Sequence, residues 1–204
     1  MSKVTYDVSV SLDGFTTGPN DGPELGLGEG GERLHKWLYD LASWREMHGR
    51  EGGERGPESD LLEESFSGTG AVVIGRRMFD NAERPWGEQP PFHMPVFVVT
   101  HEERQTLEKG ETTFHFVTGG VEPAIAQARE AAGQGRVSIG GGSSVATQAL
   151  AAGLLDEFQL HIVPLMLGGG VRLFDGLPER QIELEPTRVL DAGAVTHIRY
   201  RVLR

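Results

Sequence analysis

Val137-Ser138-Ile139-Gly140-Gly141-Gly142-Ser143-Ser144-Val145 reads as a strand, a glycine bend and a helix. Val137 and Ile139 have the alternation of a buried strand end, and Ser143 or Ser144 can cap a helix running on through Leu150. Bare glycine backbone at a helix N-terminus leaves amide N–H groups free to face an anion such as a pyrophosphate. The bend fits none of the common Gly-rich motifs. A dinucleotide fingerprint would need a third glycine where Val145 stands, and no Gly-Lys-Ser or Gly-Lys-Thr follows. A Gly-x-Ser-x-Gly elbow around Ser143 also fails at Val145.

Outward from this bend, strands and helices alternate. Val4, Tyr6, Val8, Val10 and Leu12 alternate with Thr5, Asp7, Ser9, Ser11 and Asp13, which predicts a period-two strand ending at Gly14. Residues 17–31 are rich in glycine, with Pro19 and Pro23, and read as a mobile loop. Leu34, Trp37, Leu38, Leu41 and Trp44 fall at helical spacing, 49–59 reads as a surface excursion, and Asp60 is placed to cap a short helix through Phe66. Ala71–Gly75, Val96–Thr100 and Phe114–Val117 read as strands, with a helix beginning near Pro123. Asp156–Val163 is a strand closed by Pro164, and 182–190 and 194–203 form a terminal antiparallel pair. The order predicts one α/β domain over 1–204 with a largely parallel sheet, whose ligands lie at the carboxyl ends of the strands. Asp13-Gly14, Gly75-Arg76-Arg77, Thr100-His101 and Gly140–Ser144 are the ends available.

Composition narrows the function classes. The chain has 19 Lys and Arg against 30 Asp and Glu, a formal net charge of −11, which disfavours nucleic acid and anionic membranes as partners. With no cysteine, disulfides, thiolate metal sites and a thiol nucleophile are excluded. The 7 histidines show no i,i+3 or i,i+4 pair for a helical metal site. The N-terminal residues enter a strand without an apolar leader, so a cytoplasmic location is expected.

Six segments together resemble the reductase domain of bacterial riboflavin biosynthesis and its dihydrofolate-reductase-like relatives, along nearly the whole length. They are Ser11-Leu12-Asp13-Gly14-Phe15, Ile74-Gly75-Arg76-Arg77-Met78-Phe79, Val98-Val99-Thr100, Ile139–Gly142, Leu155-Asp156-Glu157-Phe158 and Pro164–Gly170. The resemblance implies a three-layer α/β/α fold with a mostly parallel central sheet and an antiparallel C-terminal strand. It also implies NADPH as cofactor, hydride transfer to a small planar heterocycle or carbonyl compound, and pairing as a homodimer. With no cysteine, no Cys-x-x-Cys zinc signature is present, so a deaminase half is not expected. The competing reading is a non-catalytic nucleotide-binding or sensor protein that keeps the cleft.

On this reading Gly140, Gly141, Gly142, Ser143 and Ser144 carry the pyrophosphate, and Gly75 lets Arg76 and Arg77 open a helix beside it. A guanidinium there can pair bidentately with a phosphate or form a surface ion pair. In similar proteins the position of Thr100 and His101 holds the adenosine ribose phosphate, while Glu102 and Glu103 stand close enough to favour NADH instead. Asp13 can orient substrate or relay a proton, or simply close a turn with Gly14. Gly168 and Gly169 let backbone approach the nicotinamide end or form a tight turn. Trp37 reads as core, and Trp86 fits a pocket wall or the core equally.

Overall fold

The fold is described by a computed structural model that covers residues 2–204. Nine strands form one sheet: β1 (Val4–Ser11), β2 (Thr69–Gly75), β3 (Pro95–Val99), β4 (Leu107–Lys109), β5 (Thr112–Val117), β6 (Arg136–Gly140), β7 (Glu157–Val163), β8 (Leu184–Asp191) and β9 (Thr196–Val202). Their order is β4-β5-β3-β2-β6-β1-β7-β9-β8. The pairs from β5 through β7 are parallel, whereas β4, β9 and β8 run antiparallel to their neighbours. The expected mostly parallel sheet and terminal antiparallel pair are therefore present. Strand β4 leaves no periodic signal in the sequence because three residues are too few to show alternation.

Helices cover both faces, giving three layers. On one face α4 (Val121–Ala132) and α5 (Ser143–Ala151) bury Ala124, Ile125, Val145 and Ala149 against Tyr6, Val73, Val137 and Ile139. On the other, α3 (Arg76–Trp86) packs Phe79 against Val72, Ile74, Val96, Val98 and Phe114. Trp86 belongs to this cluster, edge-on to Phe92 and stacked on Phe114, so it is core rather than a pocket wall.

The segment between β1 and β2 differs most from its expected form. Residues 34–44 are not one helix. A short 3-10 helix (Gly31–His35) is followed by turns and then α1 (Ala42–Met47). Leu41 is extended, with ψ 139, and a backbone bond from Ala42 N–H to the Glu54 carbonyl fixes the break. The apolar spacing is still used, because Leu38, Leu41, Trp37 and Trp44 all pack around Leu62. Helix α2 (Pro57–Phe66) starts three residues before Asp60, with proline in its first turn, so Asp60 lies inside the helix and caps nothing.

Residues 17–31 are a built loop rather than a loose one. Gly18 N–H donates to Leu27 O and Glu29 N–H to Pro19 O, and a Cβ on Gly18 would run into the Glu29 backbone.

Candidate functional site

The glycine bend lies at the carboxyl end of β6, and α3 starts at the carboxyl end of β2, the strand beside it. Ile74 and Gly140 pair across the two strands, and a Cβ on Gly75 would lie 3.3 Å from Val145 Cγ2. The N-termini of α3 and α5 are thus packed side by side. Neither serine caps α5. Gly142 is its N-cap without a side-chain bond, Ser143 is buried in the first turn, and the exposed Ser144 hydroxyl accepts from Gln148 Nε2. No side chain caps the helix because the N-cap residue is itself glycine, and Gly141 before it takes φ +68. The free N–H groups of the first helical turn, with open space around Gly142, form a cradle that suits a diphosphate.

Arg76 lies beside this cradle. Its Nε donates to Asp80 at 2.7 Å and its Nη1 to Glu102 at 3.1 Å, which links the start of α3 to the loop after β3. In that loop the buried Thr100 hydroxyl accepts from Glu102 N–H, and His101 is exposed. Three neighbouring strand ends, β6, β2 and β3, therefore bring Gly140–Ser144, Arg76 and Thr100 to one edge. Arg77 turns away from them. It holds Asp21 bidentately at 2.6 and 2.7 Å, clamping the 17–31 loop to α3.

A second group closes the ends of β1 and β7. The Asp13 carboxylate accepts from the Ser11 hydroxyl at 2.6 Å and from Gly168 and Leu167 N–H at 2.7 and 3.1 Å. The Ser11 hydroxyl, with those two backbone donors, holds its carboxyl at about 2. Gly168 and Gly170 take positive φ, and a Cβ on Gly170 would collide with the Thr17 carbonyl. Both Asp13 oxygens are thus occupied in fixing the 164–170 turn, which packs on the start of the 17–31 loop. Leu12 and Met166 stand exposed beside it.

Between these groups the sheet leaves an opening. β1 pairs with β6 only over Val4–Tyr6, but with β7 as far as Ser11. From Asp7 onward the β6-side edge of β1 has no strand beside it. Such a gap, where the chain order reverses around β1, is where open α/β sheets hold their ligands.

The face of β1 carrying Asp7, Ser9 and Ser11 is not a solvent face. The segment from the 3-10 helix to α2 covers it. Trp37 Nε1 donates to Ser9 Oγ, and the Trp37 ring lies 4.6 and 5.0 Å from the rings of His161 and His197. Both histidines are buried, and their Nδ1 atoms are 2.6 Å apart. His161 Nε2 meets Asp7 Oδ1 at 2.5 Å, and His197 Nε2 meets Glu58 Oε1 at 3.1 Å. Ser65 and Gln159 donate to the other Asp7 oxygen. Burial opposes ionisation of Asp7, but the His161 charge and these hydrogen bonds outweigh it and hold the carboxyl below the usual range. Histidine spacing along the chain gave no sign of this cluster, since its members lie on β1, β7, β9 and α2. The available signal was the polar alternation Gln159, His161 and His197, Arg199 within strands expected to be buried. Among the described residues no three His, Asp or Glu side chains are grouped so as to hold a metal ion, and none forms a helix long and apolar enough to cross a membrane.

The sequence model of the RibD C-terminal domain family matches residues 2–198. The uncharacterized protein YyaP of Bacillus subtilis (strain 168) is 25% identical over 132 residues, covering 61% of this chain and 70% of that protein. A putative riboflavin biosynthesis protein from Shewanella sp. PV-4 superposes with a TM-score of 0.70 at 21% identity, covering 100% of both chains. Dihydrofolate reductase from Enterococcus faecalis, solved with NADP(H), superposes with a TM-score of 0.55 at 15% identity, covering 99% of this chain and 97% of that one. These likenesses establish the fold.

Proposed function

The chain belongs to the RibD C-terminal domain family, and from that membership we propose that it is a reductase that transfers hydride from NADPH to a small planar heterocycle or carbonyl compound. The observation that carries the reading is the side-by-side packing of the Gly140–Ser144 bend and Arg76 at adjacent parallel strand ends. The α5 N-terminus would hold the diphosphate on backbone N–H groups, and Arg76, with the loop at Thr100 and His101, would hold the ribose phosphate. The Arg76 guanidinium at this edge is the group a 2′-phosphate would take, which favours NADPH over NADH.

The nicotinamide end would lie along the uncovered edge of β1, bounded by the Gly168–Gly170 turn that Asp13 fixes. Exposed Leu12 and Met166 would offer the substrate an apolar wall. The cofactor supplies the hydride, and the protein contributes orientation and exclusion of water. A homodimer is part of the same proposal.

Calorimetry with NADPH and NADH, followed by the loss of reduced-nicotinamide absorbance with a panel of pterins, pyrimidines and quinones, tests the reading. Tighter binding of NADPH and turnover with at least one acceptor are expected. Binding without turnover across the panel would make the protein a nucleotide sensor, and no heat with either cofactor would overturn the assignment.

A further inference from the structure

On four strands of the sheet the covered face is polar and the open face apolar. Strand register sets residues in rows across β1, β7, β9 and β8. On the side that the 31–66 segment covers, the rows run Asp7–Gln159–Arg199–Arg188 and Ser9–His161–His197–Leu190. On the other side they run Tyr6–Phe158–Tyr200–Pro186 and Val8–Leu160–Ile198–Val189, with Val202 beside Leu184.

This apolar side lacks a complete second layer. Helices α4 and α5 pack on β2, β3 and β6, and α5 reaches as far as Tyr6 and Phe158. Phe174 stands edge-on to Phe158 from the following segment. Beyond these, no helix among the described residues packs on this side of β9 or β8. Val8, Leu160, Ile198 and Tyr200 are only half-buried, and Leu184 and Val189 are 39% and 65% exposed. A strand that alternates in this way normally turns its apolar side to a core.

We propose that this face is the isologous contact of a homodimer, in which two copies pack β1-β7-β9-β8 sheet on sheet. The inference rests on the homodimer of the reductase reading and names its surface. Charge selects a second copy as the occupant. The chain carries a net charge of −11, so two copies repel over most of their surface. The apolar rows hold no charged side chain. The next row, Val10–Ile162–Thr196–Asp191, ends in one, and Asp191 accepts from Gly193 N–H. A cationic partner therefore finds one carboxylate at a corner, and an anionic membrane finds no cation.

Shape and area agree with that choice. Each row stays apolar from strand to strand. A two-fold axis in the plane of contact, along or across the strands, therefore lays aliphatic side chains on aliphatic side chains. Four strands about 4.8 Å apart and three rows about 7 Å apart give roughly 400 Å² of flat sheet. Exposed Phe174, beside Phe158, and Leu12 and Met166, at the carboxyl ends of β1 and β7, extend it toward the roughly 800 Å² per partner of a stable interface.

Sedimentation equilibrium of the full chain without cofactor tests the surface. A dimer is expected at micromolar concentration, and a monomer would overturn the proposal. Val189→Glu and Leu184→Glu, at exposed positions of the edge strand, should each weaken the dimer at least about a hundredfold, because the two-fold places each new carboxylate in the contact twice. Phe66→Glu, at the exposed end of α2 on the opposite side, should leave it unchanged. A dimer that survives both face variants has its contact elsewhere, which overturns the assignment. Should these variants fold poorly, Val189→Cys gives a chain without native cysteine a single thiol. Its alkylation should slow as protein concentration rises through the dimer Kd, and a constant rate would sink the proposal. A monomeric chain that binds neutral phosphatidylcholine vesicles would give the face to a lipid surface instead of a second copy. Mass is read apart from cofactor binding and turnover. A monomer that oxidises NADPH removes the interface and leaves the reductase reading, and a dimer that binds neither cofactor does the reverse.

Discussion

Gly141 and Met78 compete for one volume. A Cβ on the glycine would run into the methionine Sδ, so the bend after β6 is seated directly on the first turn of α3. The Tyr6 hydroxyl, donating to the Gly141 carbonyl at 3.0 Å, holds the bend from the opposite face. The cradle is therefore rigid before any ligand arrives, which lowers the ordering cost of binding.

Replacing Gly141 tests this seating. Alanine at φ +68 costs about 1–2 kcal/mol in backbone strain alone, and its Cβ must also displace Met78. For a chain of this size a fall in melting temperature of about 2–4 °C per kcal/mol is expected. In a Met78→Ala background the penalty of Gly141→Ala should shrink toward the backbone part. Strictly additive losses in such a cycle would show that the two residues are not coupled.

Arg76 and Glu102 form a second test. Arg76→Gln should weaken NADPH at least about tenfold by calorimetry, near 1.4 kcal/mol, with little change for NADH. Glu102→Gln frees the guanidinium from its 3.1 Å partner and should tighten NADPH. Equal losses for both cofactors in Arg76→Gln would move the ribose phosphate elsewhere.

The Asp21–Arg77 clamp predicts a local effect. Asp21→Asn breaks a bidentate pair whose guanidinium is exposed but whose carboxylate is only 7% exposed, and it removes no core contact. A loss of about 1 kcal/mol, the upper end for pairs that keep one partner in water, and a fall in melting temperature of about 2–4 °C are expected. Hydrogen exchange at the amides of Gly18, Gly22 and Gly28, each bonded within the loop, should quicken. Unchanged exchange would mean that the backbone bonds alone hold the loop.

Stability should fall on acidification through His197, with Glu58 opposing it. His197 has a folded pKa of about 4 against an ordinary value of 6.5. Between those values the unfolded chain binds the proton and the folded chain does not, so stability declines as pH drops from about 6.5 to 4. Glu58, raised by burial and then by the Glu54 charge, acts in the opposite sense, stabilising at low pH and losing that contribution as pH rises through its raised value. His197→Gln should flatten the decline in melting temperature over the upper window. A decline of unchanged slope would assign it to another group.

Asp13 titrates separately. With its carboxyl held at about 2, its stabilising contribution is present above the unfolded value of 3.8 and is lost only as pH falls through about 2. Asp13→Asn should lower the melting temperature at neutral pH and alter the 164–170 turn, read as amide shifts of Leu167 and Gly168. Unmoved Leu167 and Gly168 signals would contradict its turn-holding role.

The order of strands and helices and the glycine bend were legible in the chain because each rests on contacts within a few residues. The alternation of Val4 to Val10, the glycines after Ile139 and the proline closing β7 fix local backbone whatever surrounds them. The same alternation misled about exposure. Asp7, Ser9 and Ser11 look like a solvent face, yet the segment from 31 to 66 lies over them. Helical spacing misled in that segment too, since Leu34 to Trp44 pack through a broken path pinned by Glu54.

Only the tertiary structure decided which side chains meet. His161 and His197 are 36 residues apart and touch because β7 and β9 pair antiparallel in the one register that sets them opposite each other. Arg77, next in sequence to Arg76, went to Asp21 because successive residues at a helix start point about 100° apart. A sequence specifies backbone by short-range patterns, but the partner of a polar side chain depends on registers and crossings between distant elements. Those are fixed only when the whole sheet is assembled.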